Sequence, residues 1–308
     1  MAQIAVVFPG QGSQYVGMGQ AFCQASPQAR EIMAQAEAAS GLPIGRLCFE
    51  GPLEELTLTV NLQPAVVAVD LCAWLALKAA GVTPLAVAGH SLGEYPALVA
   101  AGAISPEKCL ELVSLRGRLM DREAQANPGA MAAIMGLSPE DVARLCADAG
   151  GVVQPANYNT PSQTVITGAA ADVAQASALA KERGGKAIPL KVSGAWHSPL
   201  MAQAGVEMKA ALAGIGFAPL TCAHVPNTSG QPTREAAQAQ AQLLDQLTSP
   251  VRWVQTIAAL VALGVDTFIE AGPKNVLKGL IQKSAPESVR VFNVEDPASL
   301  EKTLAELG

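Results

Sequence analysis

The chain of 308 residues is poor in aromatic and in charged side chains, and it contains only three histidines. Aromatic residues make up 4% and charged residues 15% of the sequence, whereas half of the residues are apolar. With a net charge of -6, the chain lacks the broadly basic surface that neutralises phosphates, so we expect no nucleic-acid binding. The apolar composition predicts a sizeable core in which helices pack closely on a sheet.

The six cysteines include no C-x-x-C pair, and most of them lie in apolar helical surroundings. Reduced cysteine behaves there as a small hydrophobic residue, which favours a reducing, cytoplasmic setting. The scarcity of histidine and the absence of paired cysteines argue against a structural zinc site. We therefore expect neither a metal nor a redox cofactor.

No apolar run is long and uninterrupted enough to indicate a membrane span. The most apolar stretch, Ala65–Ala80, is interrupted by Asp70 and Lys78, whereas a span needs about 20 apolar residues. The N-terminal residues lack the basic region and the long apolar core of a secretory signal. We expect a soluble protein, without membrane contact, in which Ala65–Ala80 is a buried helix.

Short β-branched runs alternate with helical stretches over most of the chain, which predicts an α/β fold with a mostly parallel sheet. Between residues 127 and 195 the order changes to strand, helix, strand, strand, helix, strand, as in a ferredoxin-like module. We therefore predict a large α/β subdomain over residues 1–126 and 196–308. A small ferredoxin-like α+β subdomain over residues 127–195 interrupts it.

One segment, Gly89-His90-Ser91-Leu92-Gly93, matches the G-x-S-x-G pattern of a nucleophile elbow. An apolar strand-like run precedes it and an apolar helix follows it, as an elbow requires. The Leu92 N–H would lie at a helix N-terminus, where it can receive the negative oxygen formed when Ser91 attacks a thioester. A purely structural Gly-Ser turn is the alternative interpretation.

The oxyanion needs a second donor, and the segment Pro9-Gly10-Gln11-Gly12 is a candidate. It is a glycine-flanked loop directly after the first predicted strand, so its N–H groups are free to face a ligand. A simple tight turn explains the same residues equally well.

A serine hydroxyl needs a general base to attack at neutral pH, and histidine is the usual one. His90 adjoins Ser91 within the elbow, so its side chain is expected to diverge from the nucleophile. His224 lies in an apolar strand-like run, which favours a core histidine whose polar atoms are satisfied. His197 follows a strand and lies in a loop, where catalytic groups collect, so we predict His197 as the base.

Arg116 is the sharpest single signal in the sequence. On a helix from Pro106 to Glu123, with 100° per residue, it falls in the middle of an apolar arc that includes Leu112 and Leu119. An arginine that faces a core is costly unless an anion pairs with it. Either Arg116 forms a structural ion pair with an acidic residue, or it binds a substrate carboxylate through its planar fork.

Seven motifs together resemble the malonyl-CoA:acyl carrier protein transacylases and related acyltransferase domains, and the likeness covers nearly the whole chain. They are Phe8-Pro9-Gly10-Gln11-Gly12-Ser13-Gln14, Gly89-His90-Ser91-Leu92-Gly93-Glu94-Tyr95, Leu115-Arg116-Gly117, Asn157-Tyr158-Asn159-Thr160-Pro161, His197-Ser198-Pro199-Leu200-Met201, Ser249-Pro250-Val251-Arg252-Trp253 and Glu270-Ala271-Gly272-Pro273.

The resemblance implies a hydrolase-like α/β core with a ferredoxin-like insert, and it implies a role for each candidate residue. Ser91 would be the nucleophile and His197 the base, oriented by the backbone carbonyl of Gln246. The N–H groups of Gln11 and Leu92 would form the oxyanion hole. Arg116 would hold the malonyl carboxylate. The implied partners are malonyl-CoA and an acyl carrier protein, in a monomeric enzyme that supplies fatty acid synthesis.

Trp196 departs from the family pattern, because malonyl-selective members usually carry phenylalanine beside the catalytic histidine. We expect Trp196 to form a bulkier wall of the acyl pocket that still excludes an α-methyl branch.

Three other functions compete with malonyl transfer in fatty acid synthesis. An acyltransferase of polyketide or malonate metabolism would use the same chemistry in another pathway. A serine esterase or thioesterase would place an acidic residue between the nucleophile and the histidine. Four aspartates qualify by chain order, namely Asp121, Asp141, Asp148 and Asp172. The third alternative function is that of a non-catalytic subunit that binds an acyl carrier protein.

Overall fold

Two β-sheets organise the computed structural model, which describes residues 2–307. Nine strands lie in this range: β1 (Ile4–Phe8), β2 (Ala86–Gly89), β3 (Gly129–Met135), β4 (Val153–Thr160), β5 (Gln163–Ala169), β6 (Lys186–Pro189), β7 (Ala223–Val225), β8 (Thr267–Ala271) and β9 (Arg290–Val294). The first sheet has the order β7-β2-β1-β8-β9 and the second has the order β4-β5-β3-β6.

Fourteen α-helices connect and cover these strands in the same range: α1 (Gln20–Ala25), α2 (Pro27–Ser40), α3 (Ile44–Glu50), α4 (Leu53–Thr57), α5 (Thr59–Ala79), α6 (Glu94–Ala100), α7 (Pro106–Ala126), α8 (Pro139–Ala149), α9 (Ala170–Glu182), α10 (Ala202–Ala213), α11 (Ala236–Leu244), α12 (Trp253–Ala262), α13 (Val276–Ile281) and α14 (Pro297–Leu307). Three short 3₁₀ turns at residues 91–93, 199–201 and 246–248 complete the elements.

All strand pairs of the first sheet are parallel. Parallel sheets are buried on both faces, and β1 shows it directly. Val6 and Phe8 face one hydrophobic core, and Ala5 and Val7 face the other, all four with 0% exposure. Phe8 pairs with Gly89 at the carboxyl ends of β1 and β2. The loops that follow these two strands therefore leave the sheet side by side.

The second sheet is antiparallel and has the strand and helix order of the predicted ferredoxin-like module. One face, with Ala132 and Ile134, packs under α8 and α9, whereas Met131 and Ala133 on the other face join the main core. A parallel main sheet with this small α+β unit confirms the predicted fold class. The subdomain boundaries at residues 127 and 195 remain predictions.

Helix α5 is a core element. By length and composition it passes the test for a membrane span, yet 83% of its most apolar 18-residue window is buried inside the protein. Its polar residues Gln63 and Asp70 are buried with the apolar ones. The predicted buried helix over Ala65–Ala80 corresponds to α5, although its last residues, from Lys78 onward, are exposed. Gln63, in the second turn of α5, faces the site described next.

Candidate active site

Ser91 lies at a strained turn between β2 and the helix α6. Its φ of 52° falls in the left-handed region that side chains other than glycine rarely adopt. Asn227 stabilises this turn from a distant segment, because its Oδ1 accepts from the Ser91 N–H at 2.7 Å. The Asn227 Nδ2 donates to the Gly89 carbonyl, also at 2.7 Å. The elbow is thus braced on both sides of the serine.

Three glycines are required because neighbouring backbone passes too close for a Cβ atom. A Cβ at Gly89 would lie 1.9 Å from the Gly93 carbonyl oxygen, and one at Gly93 would lie 2.0 Å from the Phe8 oxygen. A Cβ at Gly10 would lie 2.5 Å from the His90 oxygen. The loop after β1 and the elbow after β2 are therefore in direct contact.

His197 lies beside Ser91, with its Nε2 at 2.7 Å from the Ser91 Oγ. On the other side of the ring, Nδ1 is 3.0 Å from the carbonyl oxygens of both Gln246 and Ser249. Because carbonyls only accept, Nδ1 carries the hydrogen and Nε2 is left to accept from the serine hydroxyl. The family resemblance implied Gln246 for this contact and did not include Ser249.

The surroundings of His197 keep its ring neutral. Burial and the nearby positive charge of Arg116 lower the pKa of His197 to about 3. A neutral imidazole at pH 7 can take up the proton of an attacking hydroxyl. Among residues 2–307, no carboxylate forms a hydrogen bond or ion pair with this ring.

The other two histidines make different contacts. His90 diverges from Ser91 and its Nε2 lies 2.8 Å from Asn159 Oδ1, as expected for its place in the elbow. His224 is fully buried in β7, in agreement with a core position. The prediction that its polar atoms are satisfied was wrong, since neither ring nitrogen has a hydrogen-bond partner among the described residues.

Arg116 reaches the nucleophile from helix α7 and is only 1% exposed. Its Nη2 donates to Ser91 Oγ at 3.1 Å and to Gln246 Oε1 at 3.3 Å, and its Nη1 donates to Gln63 Oε1 at 2.9 Å. The Nε has no partner, and within residues 2–307 no carboxylate lies within 4.0 Å of the guanidinium. A structural ion pair, one of the two interpretations of Arg116, is therefore absent.

The electrostatics of Arg116 favour an external anion. Burial lowers the pKa of its guanidinium, but arginine stays protonated in proteins. The Tyr95 ring packs with its centroid 5.7 Å from the guanidinium carbon, which gives a favourable but weak cation–π contact. A buried cation whose hydrogen-bond partners are all neutral gains most from a carboxylate that arrives with a substrate.

Gln11 and Leu92, the candidate oxyanion donors, both line the same cleft as Ser91. The Gln11 loop is shaped by local bonds, since the Ser13 Oγ donates to the Gly10 carbonyl and the Gly12 N–H donates to Gln14 Oε1. No bond from the Gln11 N–H to another of the residues 2–307 is present. Its donor is free to face a ligand.

The cleft has a volume of about 100 Å³ and is lined by six of the seven predicted site residues, all except Gln246. Trp196 forms part of its wall and is 5% exposed. The lining residues to which the sequence analysis gave no role in the site are Gln63, His90, Met120, Met131, Asn157, Leu190 and Val192. Gln63 carried a usable signal, because an amide within an apolar helix must find polar partners.

Comparison with known proteins agrees with this geometry. The sequence pattern of the acyl transferase domain matches residues 5–300. The chain belongs to the acyl transferase family. The malonyl CoA-acyl carrier protein transacylase of Bacillus subtilis is 42% identical to the chain over 311 residues, spanning 100% of this chain and 98% of that protein.

Solved acyl transferase structures share the whole fold. The malonyl-CoA:acyl carrier protein transacylase of Xanthomonas oryzae superposes with a TM-score of 0.94 at 40% identity, covering 99% of this chain and 98% of that one. A malonyl-transacylase in complex with a type II PKS acyl-carrier protein also gives a TM-score of 0.94, at 36% identity and with 99% and 100% coverage. The family resemblance read from the motifs is confirmed.

Proposed function

We propose that this acyl transferase moves a malonyl group from coenzyme A to the phosphopantetheine thiol of an acyl carrier protein. One observation carries the proposal: the Ser91 Oγ lies within hydrogen-bond distance of His197 Nε2 and of Arg116 Nη2 at the same time. A nucleophile, its base and an unpaired cation thus meet at one point. Relatives and structural neighbours carry malonyl transacylase names.

In the first half-reaction the malonyl carboxylate binds Arg116, which brings the thioester carbonyl to Ser91. The Ser91 oxygen attacks the carbonyl carbon while its proton passes to His197 Nε2. The N–H groups of Gln11 and Leu92 stabilise the oxyanion. The carbon–sulfur bond then breaks, and the proton on His197 passes to the sulfur of coenzyme A, leaving a malonyl ester on Ser91.

In the second half-reaction the thiol of the carrier protein replaces coenzyme A in the cleft. His197 takes the thiol proton, and the sulfur attacks the carbonyl carbon of the malonyl ester. The carbon–oxygen bond to Ser91 breaks as the proton returns to Ser91 Oγ. No redox step takes part, and the Gln246 and Ser249 carbonyls keep the imidazole oriented throughout.

Two alternatives differ in what they predict. A serine hydrolase with a triad is disfavoured because carbonyl oxygens, and no carboxylate among residues 2–307, face His197 Nδ1. Polyketide synthesis would use the same chemistry, and one structural neighbour was solved with a type II PKS acyl-carrier protein. We propose extender supply for fatty acid synthesis as the pathway, in line with the full-length match to transacylases such as that of Bacillus subtilis.

Mass spectrometry tests the proposal directly. Incubation with malonyl-CoA should add one malonyl group to the wild-type protein at Ser91, and none to Ser91→Ala. Addition of holo acyl carrier protein should then discharge the ester and produce malonyl carrier protein. Release of free malonate at the same rate with and without carrier protein would contradict the transferase and support a hydrolase.

A monomeric state and a cytoplasmic setting remain predictions from the sequence. Size-exclusion chromatography with light scattering measures the first, with a mass near 31.5 kDa expected. The absence of nucleic-acid binding likewise remains a prediction from the net charge.

A further inference from the structure

The side chain of Gln246 lies between the three groups of the proposed chemistry. Its Oε1 accepts from Arg116 Nη2 at 3.3 Å, and its Nε2 donates to the Ser91 carbonyl at 2.9 Å. Its own main-chain carbonyl accepts from His197 Nδ1. The orientation of this single residue therefore affects the nucleophile, the base and the cation together.

Glu94 determines which way the Gln246 amide points. An amide can turn by 180°, which exchanges its donor and its acceptor. The Gln246 Nε2 donates to Glu94 Oε2 at 2.7 Å, the shortest of its contacts. Glu94 Oε2 and the Ser91 carbonyl both require a donor, so the Gln246 oxygen must face Arg116. Without Glu94, the amide would lose the shortest of the three contacts that hold this orientation, and the Ser91 carbonyl and the longer bond to Arg116 would remain.

Glu94 is itself buried in the core, with 1% exposure. Its Oε2 also accepts from the Asn227 N–H at 3.3 Å. Its other oxygen, Oε1, has no hydrogen-bond partner among residues 2–307, and His224 Nε2 is 3.9 Å away. Because Oε2 makes both hydrogen bonds, a proton on Oε1 leaves these contacts intact.

We propose that Glu94 is a positioning residue for acyl transfer, which acts through the Gln246 amide to hold Arg116 at the carboxylate-binding position. This inference rests on the malonyl transfer proposed above. Glu94 touches neither substrate nor reacting atoms, and its effect is transmitted by the contact between its Oε2 and the Gln246 Nε2. To orient the Gln246 amide, residue 94 needs an acceptor oxygen at the position of Glu94 Oε2, and it does not need a negative charge.

The charge argument agrees with the surroundings of the carboxyl group. Burial raises the pKa of Glu94 to about 7, opposed by its bonds to Gln246 and Asn227 and by the charge of Arg116. Other titratable groups near it are His224 on β7 and Tyr95. A carboxyl group that is partly protonated at neutral pH is well mimicked by glutamine, whose amide oxygen can accept the same two bonds.

The test compares two substitutions of similar size. Glu94→Met removes both acceptor oxygens, and kcat/KM for malonyl-CoA should fall by about tenfold to a hundredfold, the cost of losing a buried hydrogen bond to a polar group. Glu94→Gln keeps an acceptor and should stay within about threefold of the wild type. Transfer of acetyl from acetyl-CoA should fall less than malonyl transfer in Glu94→Met, because acetyl has no carboxylate for Arg116 to bind.

A double-mutant cycle separates positioning from general destabilisation. If Glu94 acts through the Gln246 amide, Glu94→Met should cause no further loss in the Gln246→Met background, since interacting pairs are not additive. Glu37→Ala is the control, because Glu37 also accepts a backbone N–H, that of Gly45, far from the cleft. Its kcat/KM should equal that of the wild type.

Three results would overturn the inference: equal losses in Glu94→Gln and Glu94→Met, equal losses of malonyl and acetyl transfer, or additive losses in the cycle. If Glu94→Met does not fold, Glu94→Ala is measured in its place with the same expectations. The wild type in the same assay reports on the proposed function independently, because failure to form malonyl-Ser91 there concerns Ser91 and not Glu94.

Discussion

The Arg116 guanidinium donates a hydrogen bond to the hydroxyl of Ser91, with 3.1 Å between Nη2 and Oγ. A cation and a nucleophile this close suit a substrate whose carboxylate is one carbon away from its thioester carbonyl. Malonyl has this arrangement, whereas acetyl has no carboxylate at all. When the malonyl carboxylate binds, it competes for the same guanidinium and leaves the Ser91 hydroxyl to His197.

Replacement of Arg116 should separate the acyl groups. In Arg116→Ala, kcat/KM for malonyl transfer should fall by about a hundredfold or more, the effect of a lost charge-assisted contact, while some acetyl transfer remains. Arg116→Lys should recover only part of the loss, because an ammonium group lacks the planar fork of guanidinium. Acyl-enzyme masses after incubation with each coenzyme A ester measure the difference. Equal loss with both esters would contradict a carboxylate role.

The four aspartates that a hydrolase triad could use should be dispensable. Asp148 pairs with Arg183 at 2.7 Å and Asp172 accepts from the Val152 N–H at 2.7 Å. The Asp121 carboxylate accepts from Gln125 on its own helix, and the Asp141 carboxylate accepts from the hydroxyl of Ser138, the residue before α8. Each substitution by asparagine should leave kcat of transfer within a few fold of the wild type. A loss of about 10⁴-fold in any one of them, the scale for a triad aspartate, would show a hydrolase-type triad instead.

The contact between the loop after β1 and the elbow predicts the effect of Gly10→Ala. Its Cβ would lie 2.5 Å from the His90 oxygen, so the loop that carries Gln11 must shift. We expect kcat to fall by about 10² to 10³, as for loss of one oxyanion donor, with KM little changed. Gly216→Ala is the control, because no atom lies within 4 Å of its added Cβ. An unchanged kcat in Gly10→Ala would exclude Gln11 from the oxyanion hole.

His224 should make the fold sensitive to acid. Burial lowers the pKa of His224 to about 3. Between pH 6.5 and pH 3 the imidazole is therefore protonated in the unfolded chain but not in the folded chain. As the pH is lowered through this range, the free energy of unfolding decreases. At pH 5 this costs about 2 kcal/mol. His224→Leu should therefore raise the free energy of unfolding more at pH 5 than at pH 8, measured by urea denaturation. An equal gain at both values would contradict this assignment.

The fold class was predictable because its signals are local. Alternating strand-like and helical runs indicate a parallel sheet, and the change of order after residue 127 indicates the small α+β unit. Both are observed, with the strand order of the second sheet added by the structure. The G-x-S-x-G motif around Ser91 likewise predicts a strained turn. The structure agrees, because a Cβ atom at Gly89 or at Gly93 would overlap neighbouring backbone atoms.

The hydrogen-bond partners of Arg116 could not be predicted from the sequence. Helical spacing puts Arg116 on a buried face, but spacing alone leaves a structural ion pair and a substrate-binding site equally open. The choice depends on groups that lie 25 to 130 residues away in the chain, Ser91, Gln63 and Gln246. Asn227, which braces the elbow, was missed for the same reason, although its place after an apolar strand was a signal.

The sequence by itself determined the secondary structure, the sharp turn at Ser91 and the apolar face that carries Arg116, because these depend on neighbours a few residues apart. Only the tertiary structure decided that no carboxylate of residues 2–307 lies within 4.0 Å of the Arg116 guanidinium, that carbonyl groups orient His197, and that Glu94 holds the Gln246 amide. Such contacts join segments up to about 155 residues apart, and hydrogen-bond direction depends on the positions of all the atoms that converge there.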